Sequence, residues 1–143
     1  MTFRRFISNN FLLLLGVLIL TVLYFFTRVV NLTIIPIFTD EAIYLRWGQL
    51  GVGDANFRLY SLVDGKQPLL IWFFYPALKI FADPLVAGRM VSVMSGFFTM
   101  LGFGALGWLF TKSKKGILIA MGVYILSPFF IIYILYFFSF PYL

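Results

Sequence analysis

The sequence contains no cysteine and no histidine. The first absence excludes a disulfide framework and any thiolate metal site. The second removes the commonest general base and metal ligand. Any chemistry must therefore come from carboxylates, lysine, arginine, tyrosine or the backbone. Charge is also scarce, with eleven basic and five acidic side chains in 143 residues, or 11% of the chain against 62% hydrophobic. A soluble core of that length needs a charged shell, and there is too little charge to build one. The composition predicts an all-α integral membrane protein. The formal charge of +6 does not signal nucleic acid, because the basic residues lie between apolar runs and form no solvated face.

Phe11 to Thr27 is an uncharged run of seventeen residues, with Arg28 placed to snorkel from its far end toward the headgroups. A signal peptide is the rival reading, since Arg4 and Arg5 precede the run. Its length and the lack of a small-x-small cleavage site favour a retained helix. Met90 to Phe110 is a second uncharged run, in which Gly96, Gly102, Gly104 and Gly107 dilute helix propensity but suit close helix packing. Gly116 to Phe138 is the third, twenty-three residues with a kink expected near Pro128. With flanking residues the expected spans are about 11–30, 86–110 and 116–138. Pro68 to Phe81 has only eleven uncharged residues before Lys79, too few to cross comfortably.

Charge bias sets the topology. Arg4 and Arg5 at one end, and Lys112, Lys114 and Lys115 in the loop 111–115, lack acidic neighbours and read as cytoplasmic. An even number of crossings then separates them, which places residues 31–85 outside and keeps Pro68 to Phe81 in the outer interface. That loop holds all five acidic residues: Asp40, Glu41, Asp54, Asp64 and Asp83. From Thr39 its pattern turns helical, with Ile43, Trp47 and Leu50 at i, i+4 and i+7 beside Tyr44, and with Arg46 and Gln49 on other faces. This predicts an interfacial helix capped by Thr39 or Asp40.

Four polar residues of the loop carry two readings each. Asp40 and Glu41 either complement the helix dipole or present a carboxylate that accepts a proton or holds a divalent cation. Lys66 is either a headgroup anchor or a ligand for a lipid-linked phosphate. Arg89 either snorkels or clamps a phosphate bidentately. The triplet Asn31-Leu32-Thr33 matches a glycosylation acceptor, but beside a membrane helix it is a coincidence of sequence.

The stretches TDEAIYLRWGQLG, DGKQPLLIWFFYPALKIF, DPLVAGRMVSVMSGFFTMLGFGALGWLF and SPFFIIY together resemble the opening of bacterial and archaeal membrane glycosyltransferases. These enzymes are related to the protein O-mannosyltransferases (glycosyltransferase family 39) and the aminoarabinose transferase of lipid A, in the GT-C superfamily. The similarity covers nearly the whole chain but only the first quarter to third of a typical member. It implies a partial GT-C fold: three transmembrane helices, with one or two juxtamembrane helices in the first external loop. The implied activity is transfer of a sugar from a polyprenyl-phosphate donor to a protein or lipid/glycan acceptor on the extracytoplasmic face of the inner or plasma membrane, among membrane lipids. By the same resemblance, Asp40, with Glu41 beside it, matches an acidic position associated with acceptor activation or a divalent metal, the one cofactor implied. Lys66 matches the lysine of a K-P-P-L stretch that here reads K-Q-P-L, and Arg89 matches an arginine heading the next span, where it would help bind the donor phosphate.

The chain departs from the family after SPFFIIY, where it reads ILYFFSFPYL and no carboxylate follows Asp83. The family continues there into a second acidic motif and further spans, so the expectation is a portion that is incomplete and inactive alone. The competing expectation is a small standalone membrane protein acting as an assembly partner through the small residues of the second run. Transport by the chain alone is disfavoured, because the centres of the runs carry no ionisable residue. In either case, Asp54→Cys and Ser113→Cys variants are expected to react with an impermeant thiol reagent from opposite sides of the membrane. Labelling of both from one side would overturn the topology.

Overall fold

The structure, a computed structural model, describes the backbone of residues 3–30 and 32–127 and the side chains of residues 10–30 and 32–127. Every regular element among them is helical: α1 (Phe3–Val29), α2 (Thr39–Gly53), a 3₁₀ segment (Ala55–Asp64), α3 (Leu69–Ile80), α4 (Pro84–Thr111) and α5 (Lys114–Leu126). Two compact units result, one drawing on residues 1–30 and 95–133 and the other built on residues 31–94.

Two helices, α1 from Asn10 and α4, are long and apolar enough to cross a membrane. At about 1.5 Å per residue the 20 residues from Asn10 just match the roughly 30 Å hydrocarbon core, and the 28 of α4 exceed it. Only 11% of the α1 window and 22% of the α4 window are buried inside the protein. Phe11, Leu12, Leu18, Ile19, Val22 and Phe26 all lie exposed along α1, a surface suited to lipid. Of the expected third span, α5 supplies the part up to Leu126; Pro128 and the rest of that run lie outside the described residues. α3, with 12 residues, is about 18 Å long and too short to cross, as its sequence implied.

In the first unit, small residues let helices approach closely. A methyl group at Gly104 would lie 3.1 Å from Met121, one at Gly16 would lie 2.9 Å from Leu118, and one at Gly107 would collide with the Gly116 carbonyl oxygen. Tyr124 packs on Phe103, with ring centroids 5.1 Å apart, and Tyr24 stacks on Tyr124 at 6.5 Å. The tight turn before α5 puts Lys112 in the left-handed region at φ 49°, and the Ser113 hydroxyl caps the helix by accepting from the Lys115 N–H at 3.3 Å. Arg28 corrects one expectation. It does not snorkel: its side chain is fully buried, with the guanidinium 4.3 Å over the Tyr24 ring.

In the second unit, α2 packs on α3 and on the 3₁₀ segment. Its buried face runs through Glu41, Tyr44, Leu45, Trp47, Gly48 and Gly51. The stripe expected from Ile43 is displaced, and Ile43 is exposed. The glycines cause the shift: a methyl group at Gly48 would lie 3.2 Å from Phe74, and one at Gly51 would collide with the Tyr75 hydroxyl, so the bare backbone becomes the contact surface with α3. Asp54 starts the 3₁₀ segment by accepting from the Asn56 N–H at 2.9 Å, and Gly65, at φ 70°, ends it. The Trp72 indole N–H then donates to the Arg58 carbonyl at 3.0 Å, tying α3 to that segment. The opposite face of α3 exposes Leu69, Trp72, Phe73 and Ile80, an apolar stripe at i, i+3, i+4 and i+11. Asp83 caps α4 by accepting from the Leu85 N–H at 2.8 Å, with Pro84 in the first helical position.

The glycine contacts separate cleanly into covered and open sites. Gly107→Ala is expected to destabilise the purified protein by about 1–3 kcal/mol through forced separation of α4 and α5. Gly102, with nothing within 4 Å, should accept alanine with a gain of up to about 1 kcal/mol from helix propensity. Thermal unfolding in detergent reads both, and equal effects would remove the packing argument.

Candidate functional site at the head of α4

All of the residues expected to carry chemistry fall in the second unit, where one interaction dominates. Arg89 sits one turn into α4, between Gly88, which faces Leu45, and the buried Ser92 and Val93. Its neighbours are small or apolar, so the guanidinium has no route to water and is 4% exposed. Its Nε donates to Glu41 Oε1 at 2.8 Å and its Nη2 to Glu41 Oε2 at 2.9 Å, a bidentate pair. Nη1 donates to the Leu32 carbonyl at 2.6 Å and Nη2 also to the Pro36 carbonyl at 3.5 Å. Glu41 is equally buried, at 3%, and its Oε2 also accepts from the Phe38 N–H at 3.4 Å. Phe38, not Thr39 or Asp40, is the N-cap of α2, and Glu41 in the first turn reaches back to it in place of a capping hydroxyl.

The five acidic residues therefore divide by duty. Glu41 is committed to Arg89, and Asp54 and Asp83 cap helices. Asp64 is exposed at the end of the 3₁₀ segment, and Asp40 is half-exposed beside the buried pair. Lys66 lies just past Gly65, its backbone N–H donating to the Ser61 carbonyl at 2.9 Å and its ammonium 5.6 Å from the Tyr44 ring centroid. Tyr44 and Trp47 pack together with ring centroids 5.4 Å apart in the core with Ile71 and Phe74. Burial pushes the Tyr75 phenol above its ordinary pKa while the Arg58 charge pulls it down. Tyr75 is thus a hydrogen-bond donor at neutral pH and not a base; its hydroxyl donates to the Arg58 carbonyl at 3.5 Å.

The structure brings Asp40, Glu41 and Arg89 to one place and puts Lys66 on the same unit through Tyr44. It gives Glu41 and Arg89 to each other. A proton acceptor needs an available oxygen, and both Glu41 oxygens are engaged; a phosphate clamp needs an open fork, and the Nε and Nη2 edge of Arg89 is occupied. Among the described residues no three or more acidic side chains gather as a set of metal ligands. Sequence reasoning missed the pairing. The available signal was an arginine within an apolar helix and flanked by small residues, which demands a carboxylate, although five were on offer.

Breaking the pair from one side leaves a buried charge. Glu41→Gln or Arg89→Leu alone is expected to cost about 3–5 kcal/mol in thermal or denaturant unfolding, while the Glu41→Leu/Arg89→Leu double variant should recover much of that loss. Additive single effects would show that the two side chains are not coupled. No known family's sequence profile matches this chain, and neither characterised proteins nor solved structures give a significant match.

Proposed function

We propose that this chain is the N-terminal portion of a membrane glycosyltransferase that takes a sugar from a polyprenyl-phosphate donor and delivers it to a protein, lipid or glycan acceptor outside the inner or plasma membrane. The observation that carries the reading is the rigid placement of Asp40. The neighbouring Glu41 is locked to Arg89, which fixes the first turn of α2, yet Asp40 itself stays half-exposed. A carboxylate held in place but open to a substrate is what proton abstraction requires. Further support comes from the short helices α2 and α3 lying between two long apolar ones, the arrangement the resemblance implies for the first external loop. The exposed stripe of Leu69, Trp72, Phe73 and Ile80 suits a helix resting in the outer interface.

In this reading the acceptor hydroxyl attacks the anomeric carbon while the bond from that carbon to the phosphate oxygen breaks. Asp40 takes the hydroxyl proton, and the lipid phosphate leaves with the bonding electrons. Lys66 offsets the charge growing on that phosphate. Glu41 and Arg89 position Asp40 and touch neither substrate. The three-span topology has its N-terminus and residues 111–115 in the cytoplasm, as the lysine and arginine distribution supports. The alternative of a standalone assembly partner loses one of its supports, since Gly104 and Gly107 are already covered by α5 of the same chain.

Membranes carrying this chain extended by the further spans the resemblance implies, and supplied with labelled polyprenyl-phosphate sugar, are expected to transfer label to an acceptor. Asp40→Asn should lower the rate about 100-fold or more without loss of folded protein. Arg89→Lys, by contrast, should lower the yield of folded protein more than the rate per molecule. Undiminished transfer by Asp40→Asn in the extended chain removes the base assignment, and absence of transfer by the extended chain without substitution removes the whole reading.

A further inference from the structure

The 3₁₀ segment Ala55–Asp64 is turned inside out for a surface that meets water. With about three residues per turn, its side chains fall into three rows. Leu59 and Leu62 lie in one row, and Phe57, Tyr60 and Val63 in the second; the third holds Arg58 and Ser61. The one buried residue of the segment is Ser61, at 1% exposure and with its hydroxyl unpartnered. Every apolar side chain of the other two rows is exposed, up to 77% at Val63. Packing against water alone would produce the reverse order, with the leucines inside and the serine outside.

The neighbouring surface continues this face. The Trp72 indole N–H and the Tyr75 hydroxyl both donate to the Arg58 carbonyl, which holds the segment against α3, and α3 itself exposes Leu69, Trp72 and Phe73. What covers so much apolar surface follows from where the chain is tethered. The unit is joined at one end to α1 and at the other runs into α4, the two helices long and apolar enough to cross a membrane. A bilayer surface is therefore within reach of it at all times. Charge fits the same partner. Residues 31–94 carry five acidic and five basic side chains, which cancel, and a balanced set complements a zwitterionic headgroup layer. Within the segment the charges of Arg58 and Asp64 stay out of the two apolar rows, which leaves those rows free for hydrocarbon.

We propose that Ala55–Asp64 is a membrane-inserting element whose Leu59, Leu62 and Val63 dip into the outer leaflet of a zwitterionic bilayer, with Tyr60 and Trp72 at headgroup depth beside them. Its partner is the lipid surface, and the driving force is burial of apolar area, not attraction between charges. Insertion sets the height of the segment over the bilayer, and with it the height of α3, which is hydrogen-bonded to it. The element goes beyond sugar transfer. It rests only on α1 and α4 crossing a membrane, so a chain that transfers no sugar docks in the same way.

The lack of cysteine allows one label at a time on the 143-residue chain. Leu59→Cys, Leu62→Cys, Val63→Cys and Asp64→Cys variants are spin-labelled and reconstituted in mixed phosphatidylethanolamine and phosphatidylcholine bilayers. All four positions are exposed, so the labels leave the packing of the unit intact. Power saturation then compares access of oxygen, which partitions into lipid, with access of a nickel chelate, which stays in water. Labels at 59, 62 and 63 are expected about 5–10 Å below the headgroup boundary, with oxygen favoured, and the label at 64 on the water side. Raising salt to about 1 M, where charges are screened within about 3 Å, should leave those depths unchanged. Free access of the nickel chelate to all four positions overturns the proposal. So does exclusion of both reagents from 59, 62 and 63, which marks a covering protein surface in place of lipid. Release of the labels into water at high salt overturns it as well, because attachment would then belong to charge.

Discussion

The second unit depends on a buried ion pair whose parts come from distant stretches of sequence. Arg89 gathers the Leu32 and Pro36 carbonyls and both oxygens of Glu41 around one guanidinium, and Glu41 in turn holds the Phe38 N–H. The extended residues 36–38 have no helix or sheet in which to pair their backbone groups. Without Arg89 the buried Leu32 carbonyl would lose this partner, and a buried polar group left unpaired is costly. Desolvating two charges is costly as well, and an ion pair repays that cost only with near-ideal geometry and additional hydrogen bonds. Both conditions are met here. The pair is therefore better understood as specifying one arrangement of the loop than as a large net source of stability.

Much else in that unit follows from where the pair fixes the start of α2. Once Glu41 points inward, helical spacing sends Tyr44, Leu45, Gly48 and Gly51 to the same side, and α3 must meet that face. Gly48 and Gly51 leave room for Phe74 and Tyr75, while Leu45 fills the space above Gly88 on α4. Asp40, one residue before Glu41 and about 100° around the helix, turns out of that face, which is why the two acidic neighbours have opposite environments. A reading that treats the acidic dipeptide as one functional feature mixes a structural residue with one that remains open.

The long apolar helices, the shortness of Pro68 to Phe81 and the helical start at Thr39 were all readable from composition and periodicity, because those signals are local. The buried face of α2 was not. Hydrophobicity ranked Ile43 above Gly48 and Gly51, whereas packing was decided by which side chains could be absent, a property of the helix on the other side of the contact. The fate of both arginines was hidden for a related reason. Hydropathy places an arginine at a helix end and predicts that it snorkels, but the choice between water and an internal partner depends on residues 48 positions away for Arg89 and 97 for Arg28. Asp54 and Asp83 were legible only as acidic, since their capping roles needed the exact helix starts.

The contrast between the two arginines bears on how a chain with so few charges can be organised. Each is buried, and each is wrapped by backbone carbonyl, hydroxyl or aromatic groups, so burial alone does not tell them apart. What differs is the distribution of carboxylates. By confining all five acids to residues 40–83, the sequence can satisfy Arg89 from within its own unit and leaves Arg28 dependent on neutral partners. Neutral dipoles and ring faces orient a guanidinium but do not cancel its charge. The charge distribution that gives one unit its own ion pair thus leaves the other to hold its arginine with neutral partners alone.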